Sequence, residues 1–342
     1  MKRILLGMLG LLLLGGSIVA YIFHHRIYAP NVINSKEELY LFIPTGSTSS
    51  DVVDLLKEKG LIKNVNSLVW VAEQKNYTNN VHPGKYQLQP RMNNNDLIDL
   101  LRSGNQVPVT FTFNNVRFAE EIASKAGLVL EPDSAEFAAF FTDNEVIKKY
   151  GLSGATFNSI LIPNTYEFYW NTSCEAFLER MAKEYRAFWT DERKMKTKKI
   201  GLSQSEVSTL ASIVESETKK NDEKPVVAGV YLNRLRKGML LQADPTLVYA
   251  TKDWEARRVL NWHKKVDSPY NTYMYKGLPP GPIRIPEPSS LDAVLNAKEH
   301  SYLYFCAKED FSGYHNFAST YNEHLRNARK FQTALNQKGV YK

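Results

Sequence analysis

Cysteine is almost absent from this 342-residue chain. Cys174 and Cys306 are the only two, so at most one disulfide can form. That excludes a disulfide-framed scaffold and a CxxC zinc module. No HExxH or comparable metal spacing surrounds His315 or His324, and no GxSxG elbow marks a serine hydrolase. Charge of one sign is not concentrated either. Lys plus Arg number 43 against 36 Asp plus Glu, for a net +7. Such an excess suits an anionic partner (nucleic acid, lipid headgroups, an acidic polymer) without choosing among them. With 43% hydrophobic and 23% charged residues, a disordered tail or a collagen-like fibre is excluded. The length allows about two domains.

One long uncharged run is present. ILLGMLGLLLLGGSIVAYIF fills residues 4–23, about the twenty apolar residues that a bilayer-spanning helix needs. Ser17-Ile18-Val19-Ala20 before Tyr21 makes a poor signal-peptidase exit, and no cysteine offers a lipid anchor. Lys2, Arg3 and the terminal amine outweigh Arg26 across the run. The positive-inside tendency therefore puts the amino end in the cytoplasm and everything from about residue 27 outside it. Residues 1–26 are expected to form a cytoplasmic tip and a single span of a bacterial inner membrane, with the remainder periplasmic.

From 38 to about 130 a short pattern recurs: an apolar strand, a polar turn, and a helix closing at glycine. LYLFI (39–43) leads to VVDLLKEKG (52–60), GKYQL (84–88) to DLIDLLRSG (96–104), and more faintly VTFTF (109–113) to AEEIASKAG (119–127). This order is similar to a LysM-type glycan-binding unit, expected over 38–105; a purely structural packing domain reads equally well. Residues 131–200 read as mostly helical. Phe177, Met181, Tyr185 and Phe188 form an apolar stripe expected in the core, and RKMKTKK (193–199) is expected to be a solvated helix end.

Carboxyl chemistry enters after residue 200. Val207, Leu210, Ala211, Ile213 and Val214 define one face of a helix that starts near Ser205. At about 100° per residue, Glu217 falls roughly 50° from the centre of that face and Glu215 roughly 110° from it. Glu217 is thus expected on the buried stripe and Glu215 sideways toward water. A carboxyl held against apolar side chains has a raised pKa, which suits it to protonate a leaving oxygen near neutral pH. A buried glutamate paired with Arg234 for structure alone fits the periodicity equally well.

A proline in a first helical turn, Pro225, opens VVAGVYLNRL (226–235). Beyond it lie GMLLQADPT (238–246), SPYNTY (268–273), GLPPGPI (277–283) and YLYF (302–305). Prolines crowd 279–288 and stiffen that loop. Tyrosines offer a flat face to a sugar ring and a hydroxyl to its edge. These strings, with ASIVESET (211–218), stand in the order of the YceG-like family of endolytic murein transglycosylases, which the chain resembles over nearly its whole length. Tyr314, Ala243 and the pair Glu287-Pro288 depart from the usual family pattern.

The resemblance implies an α+β fold: a membrane anchor, a small LysM-like α/β subdomain, and a mixed α+β catalytic domain over 106–338. It implies cleavage of MurNAc–GlcNAc bonds within glycan strands, leaving 1,6-anhydro-MurNAc ends during wall synthesis. The second glutamate of the family's Glu-x-Glu-Thr motif falls on Glu217. Asn233, Arg234, Gln242, Asp244, Thr246, Ser268, Tyr270, Asn271, Tyr273 and His315 are expected to bind substrate. The implied partners are peptidoglycan strands, the inner membrane and cell-wall synthases, not nucleic acid; neither cofactor nor metal is expected. Hydrolysis of glycosides ordinarily takes two carboxylates. A transglycosylase can use one, because the muramyl 6-hydroxyl is a nucleophile already within the substrate. Asp244 is the second carboxylate if the reaction is hydrolysis; otherwise it caps a turn or holds Arg234. A non-catalytic wall-binding scaffold is the remaining alternative.

Overall fold

The computed structural model describes residues 2–256 and 258–338; Met1, at the head of the basic amino-terminal flank, lies outside them. Two compact units divide the chain. One comprises Met1–Phe111, Val129–Pro132 and Tyr166–Ser173, the other Thr112–Leu128, Asp133–Thr165 and Cys174–Lys342. Along the chain come α1 (Lys2–Tyr28), β1 (Leu39–Ile43), α2 (Ser49–Glu58), α3 (Val65–Gln74), β2 (Gly84–Leu88) and α4 (Asn94–Ser103). There follow β3 (Val109–Phe113), α5 (Ala119–Ala126), α6 (Ser134–Thr142), α7 (Asn144–Lys149), β4 (Asn164–Phe168) and α8 (Cys174–Phe188). The remainder is α9 (Asp191–Ile200), α10 (Gln204–Glu217), α11 (Lys224–Arg236), α12 (Asp244–Thr251), α13 (Pro288–Leu295), β5 (Tyr304–Ala307), β6 (His315–Ala318) and α14 (Tyr321–Gln337). This is a mixed α+β protein with three two-stranded sheets, β1–β2, β3–β4 and β5–β6, among the described residues.

The 27 residues of α1 make a rod about 40 Å long, long and apolar enough to cross a membrane and buried by nothing in the protein over its apolar window. Its far end is tied down. The Arg26 carbonyl accepts from Asn94, whose amide oxygen in turn receives Asn31 at 2.6 Å.

In the first unit, alternate residues of β1 and β2 turn inward, and the antiparallel register sets Leu41 opposite Tyr86. Thr48 and Asp51 form a capping box that starts α2. The recurring strand–helix pattern does not make equivalent copies. The helix α3 intervenes between the first two, and β1 and β2 share one sheet. Leu41, Leu56, Leu68, Tyr86 and Leu97 merge into one core. A five-residue strand with a ten-residue helix has too little apolar surface to stand as its own unit.

The second unit is organised round α10, which a capping box between Ser203 and Glu206 begins. Its apolar residues Val207, Leu210, Ala211, Ile213 and Val214 are fully buried, and so are Ser208, Thr209 and Ser212. The helix touches α9, α11, α12 and α13, so it has no wet face for most of its length. Phe177 and Met181 lie in the core as expected, with Tyr185 and Phe188 partly covered. In the basic run, Arg193 leaves solvent to pair bidentately with Asp292 at 2.9 and 3.0 Å. The mostly helical reading of 131–200 holds apart from β4, whose five residues are too few to show their alternation. Both cysteines are free thiols.

Candidate active site

Glu217 is the last residue of α10; at Thr218 the backbone turns extended (φ −140°, ψ 138°) and the helix stops. The carboxyl is thereby carried on a buried helix yet reaches the edge of a groove. Its Oε1 accepts a hydrogen bond of 2.6 Å from the hydroxyl of Tyr231, itself 1% exposed at the middle of α11. Burial pushes the Glu217 carboxyl up to about 7; the Tyr231 hydroxyl and, more weakly, Arg234 oppose the rise, while the charge of Asp244 adds to it. Among the described residues no donor occupies Oε2.

The alternative of a Glu217–Arg234 pair does not occur. Arg234 donates its Nε–H to the carbonyl of Leu303 at 2.6 Å and its Nη1 to that of Leu241 at 2.8 Å, and more loosely to that of Leu240. Nor does Asp244 cap a turn or hold Arg234. It is the first residue of α12 and takes the hydroxyl of Tyr273 at 2.5 Å.

Glu215 is corrected too. It does not point into water: its side chain is 9% exposed and pairs with Arg284 at 3.1 Å. It also accepts from the Glu287 backbone N–H at 2.7 Å and the Ser290 hydroxyl at 2.9 Å. Ser212, one turn earlier, accepts from the Ile283 N–H at 3.0 Å. The helix that presents Glu217 therefore also holds the proline-rich loop in place.

Glu217 and Asp244 line two cavities that meet at them. One, of 520 Å³, is walled by Arg117, Lys219, Trp254, Arg258 and Arg284 among others. The second, of 260 Å³, is walled by Tyr231, Arg234, Gln242, Tyr273, Tyr304, Tyr321 and His324 among others. Of the expected substrate-binding residues, Arg234, Gln242, Asp244 and Tyr273 line a cavity with Glu217. Gln242 holds a left-handed backbone (φ 48°) that turns the chain into α12.

The other expected residues make their bonds away from Glu217. Thr246 is fully buried against the Ala243 carbonyl and the Thr272 hydroxyl. Asn271, also fully buried, donates to the Lys264 and Val266 carbonyls. Asn233 braces the His300 and Tyr302 carbonyls. The Ser268 hydroxyl accepts from the Tyr270 N–H, and the Tyr270 ring lies 4.5 Å from that of Tyr249. His315 meets Glu223 at 2.8 Å and lines neither cavity. None of these six lines either cavity. Sequence reasoning passed over Tyr231, although its i, i+3 spacing from Arg234 on α11 puts both on one face. Arg284 had no local signal at all.

A single carboxyl that is half protonated near pH 7, beside an open polar groove, can donate a proton to a leaving oxygen and take one back. This arrangement is suited to general-acid chemistry on a polar substrate. A YceG-like family model matches residues 41–330, and the chain belongs to the YceG-like family. It is 31% identical to the endolytic murein transglycosylase of Bacillus subtilis over 96% of this chain and 93% of that one. Its identity to the endolytic murein transglycosylase of Streptococcus pneumoniae is 28%, over 92% of this chain and 62% of that one. The crystal structure of a YceG-like protein from Listeria monocytogenes superposes with a TM-score of 0.55 at 30% identity, covering 85% of this chain and 99% of that one.

Proposed function

We propose that this protein is an endolytic peptidoglycan lytic transglycosylase that breaks MurNAc–GlcNAc bonds inside glycan strands and leaves 1,6-anhydro-MurNAc ends. The observation that carries this reading is the Glu217–Tyr231 pair: one carboxyl, its pKa raised to about 7, with one oxygen held and the other open. In the scheme, protonated Glu217 gives its proton to the glycosidic oxygen as the bond to the muramyl anomeric carbon breaks. The resulting carboxylate then removes the proton of the muramyl 6-hydroxyl, whose oxygen bonds to that carbon. No water is consumed. The Tyr231 hydroxyl fixes Oε1, so Oε2 is the atom that moves the proton.

Asp244 favours a second reading, a two-carboxylate hydrolase, because it lines the same two cavities as Glu217. Mass analysis of digested wall separates the two. Anhydro ends one water lighter than reducing ends support the transglycosylase; reducing ends alone overturn it.

The length and apolarity of α1 support a single-pass anchor in the inner membrane; in this reading the amino end is cytoplasmic and the catalytic domain, 106–338, works in the periplasm beside cell-wall synthases. Protease added to spheroplasts should then digest the large domain. For 38–105, the paired strands β1 and β2 with their covering helices support a LysM-like, glycan-binding role.

A further inference from the structure

The two cavities that meet at Glu217 and Asp244 differ in charge. In the smaller one the only cation fixed at neutral pH, among the described residues, is Arg234, whose Nε and Nη1 are committed to backbone carbonyls. His324 there is kept toward its neutral form by burial and by Arg234. The remaining wall is tyrosine and phenylalanine with one glutamine and one leucine.

The larger cavity is the reverse. Arg284 is neutralised by Glu215, but among the described residues no acid pairs with Arg117, Lys219 or Arg258, all of which line it. The Arg117 guanidinium lies 4.3 Å from the Trp254 ring centroid, so it is held over an aromatic face while its N–H edge stays available. A planar guanidinium presented in this way matches a carboxylate bidentately.

Resting on the function proposed above, we infer that the larger cavity is the subsite for the acidic peptide stem carried by the muramyl residue. Arg117 and Arg258 are its specificity-determining residues. The strand then crosses Glu217 in one direction only, with its stem-bearing side toward Trp254 and its uncharged sugar on the tyrosine side. A strand without its stem keeps only the lactyl carboxylate of each muramyl residue, too little for three unpaired cations, whereas the stem adds free carboxylates further out.

The test uses the full chain in detergent micelles with two substrates: linear glycan strands with intact peptide stems, and the same strands stripped by an amidase. Arg117→Glu combined with Arg258→Glu should lower the ratio of kcat/KM for stemmed over stripped strands at least about tenfold, since like charges at a recognition site cost several kcal/mol. Arg117→Lys, which keeps the charge, should restore most of that ratio when Arg258 is intact. Added salt should compress the preference of the parent protein. Equal losses on both substrates, or an unchanged ratio, would overturn the stem subsite and leave the transglycosylase reading standing. A parent protein that cleaves neither strand would instead remove the reading on which it rests.

Discussion

Tyr231 donates its hydroxyl hydrogen to Oε1 of Glu217 across 2.6 Å, joining the middle of α11 to the end of α10. Both partners are held by buried helices, so the bond is set by the packing of the core. It works against the burial that raises the glutamate pKa, because a hydrogen bond to the carboxylate favours the charged form.

Tyr231→Phe removes that opposition. The pKa of Glu217 then moves above about 7, and the falling limb of the pH–rate profile moves to higher pH. Loss of the orienting bond should lower turnover by about tenfold or less. Asp244→Asn should move the limb the other way, since the Asp244 charge raises the same pKa. Profiles of anhydro-muropeptide release between pH 5 and 9 measure both shifts. A limb unmoved in either variant means that Glu217 is not the titrating acid.

Glu217→Gln keeps the size of the side chain but has no proton to deliver. Release of anhydro-muropeptides should fall by about ten-thousandfold or more, the upper end for general acid–base catalysis, while circular dichroism stays unchanged. Near-normal release would show that the wrong glutamate has been named. Asp244→Asn is the comparison, because an equal collapse there would favour the two-carboxylate hydrolase.

The same substitution changes stability with pH. The native Glu217 holds its proton more tightly than an unfolded glutamate, with a pKa of about 7 against 4.5. The contribution of Glu217 to native stability is therefore greatest below 4.5, declines as pH rises from 4.5 to 7, and levels off above. The full shift corresponds to at most about 3 kcal/mol, lessened by the part of the side chain that meets the groove. Urea melts at pH 5 and pH 8 should show Glu217→Gln gaining on the parent at the higher pH; a parallel response of the two proteins would contradict the raised pKa.

Glu215→Gln should harm stability more than chemistry. It leaves the Arg284 guanidinium without its counter-charge in a place only 18% exposed. A loss of about 2 kcal/mol is expected, below the range for fully buried pairs. The midpoint of urea unfolding measures this, and turnover should fall far less than in Glu217→Gln.

Gly281→Ala tests the fixed shape of the proline loop. A Cβ at Gly281 would meet the backbone carbonyl of Ala155, which cannot swing aside as a side chain can. Overpacking of this kind costs about 1–3 kcal/mol. An unchanged Tm would mean that the loop is not seated against residue 155.

Periodicity alone identified the buried face of α10, and Val207, Leu210, Ala211, Ile213 and Val214 are all covered. Hydropathy marked the long apolar helix, and capping residues with terminal glycines marked where helices begin and end. Each of these depends only on residues a few positions apart, so the chain carries them locally. Glu215 shows where local reasoning stops. A helical wheel assumes one wet side, but α10 is enclosed by four other helices, and its sideways direction leads to Arg284 and Ser290 rather than to water. Whether Glu217 would serve as an acid or pair with Arg234 was equally undecided. Only the packing of α11 brought Tyr231 to it and sent Arg234 to the carbonyls of Leu241 and Leu303, because hydrogen-bond partners 7, 14 and 69 residues apart are selected by the fold.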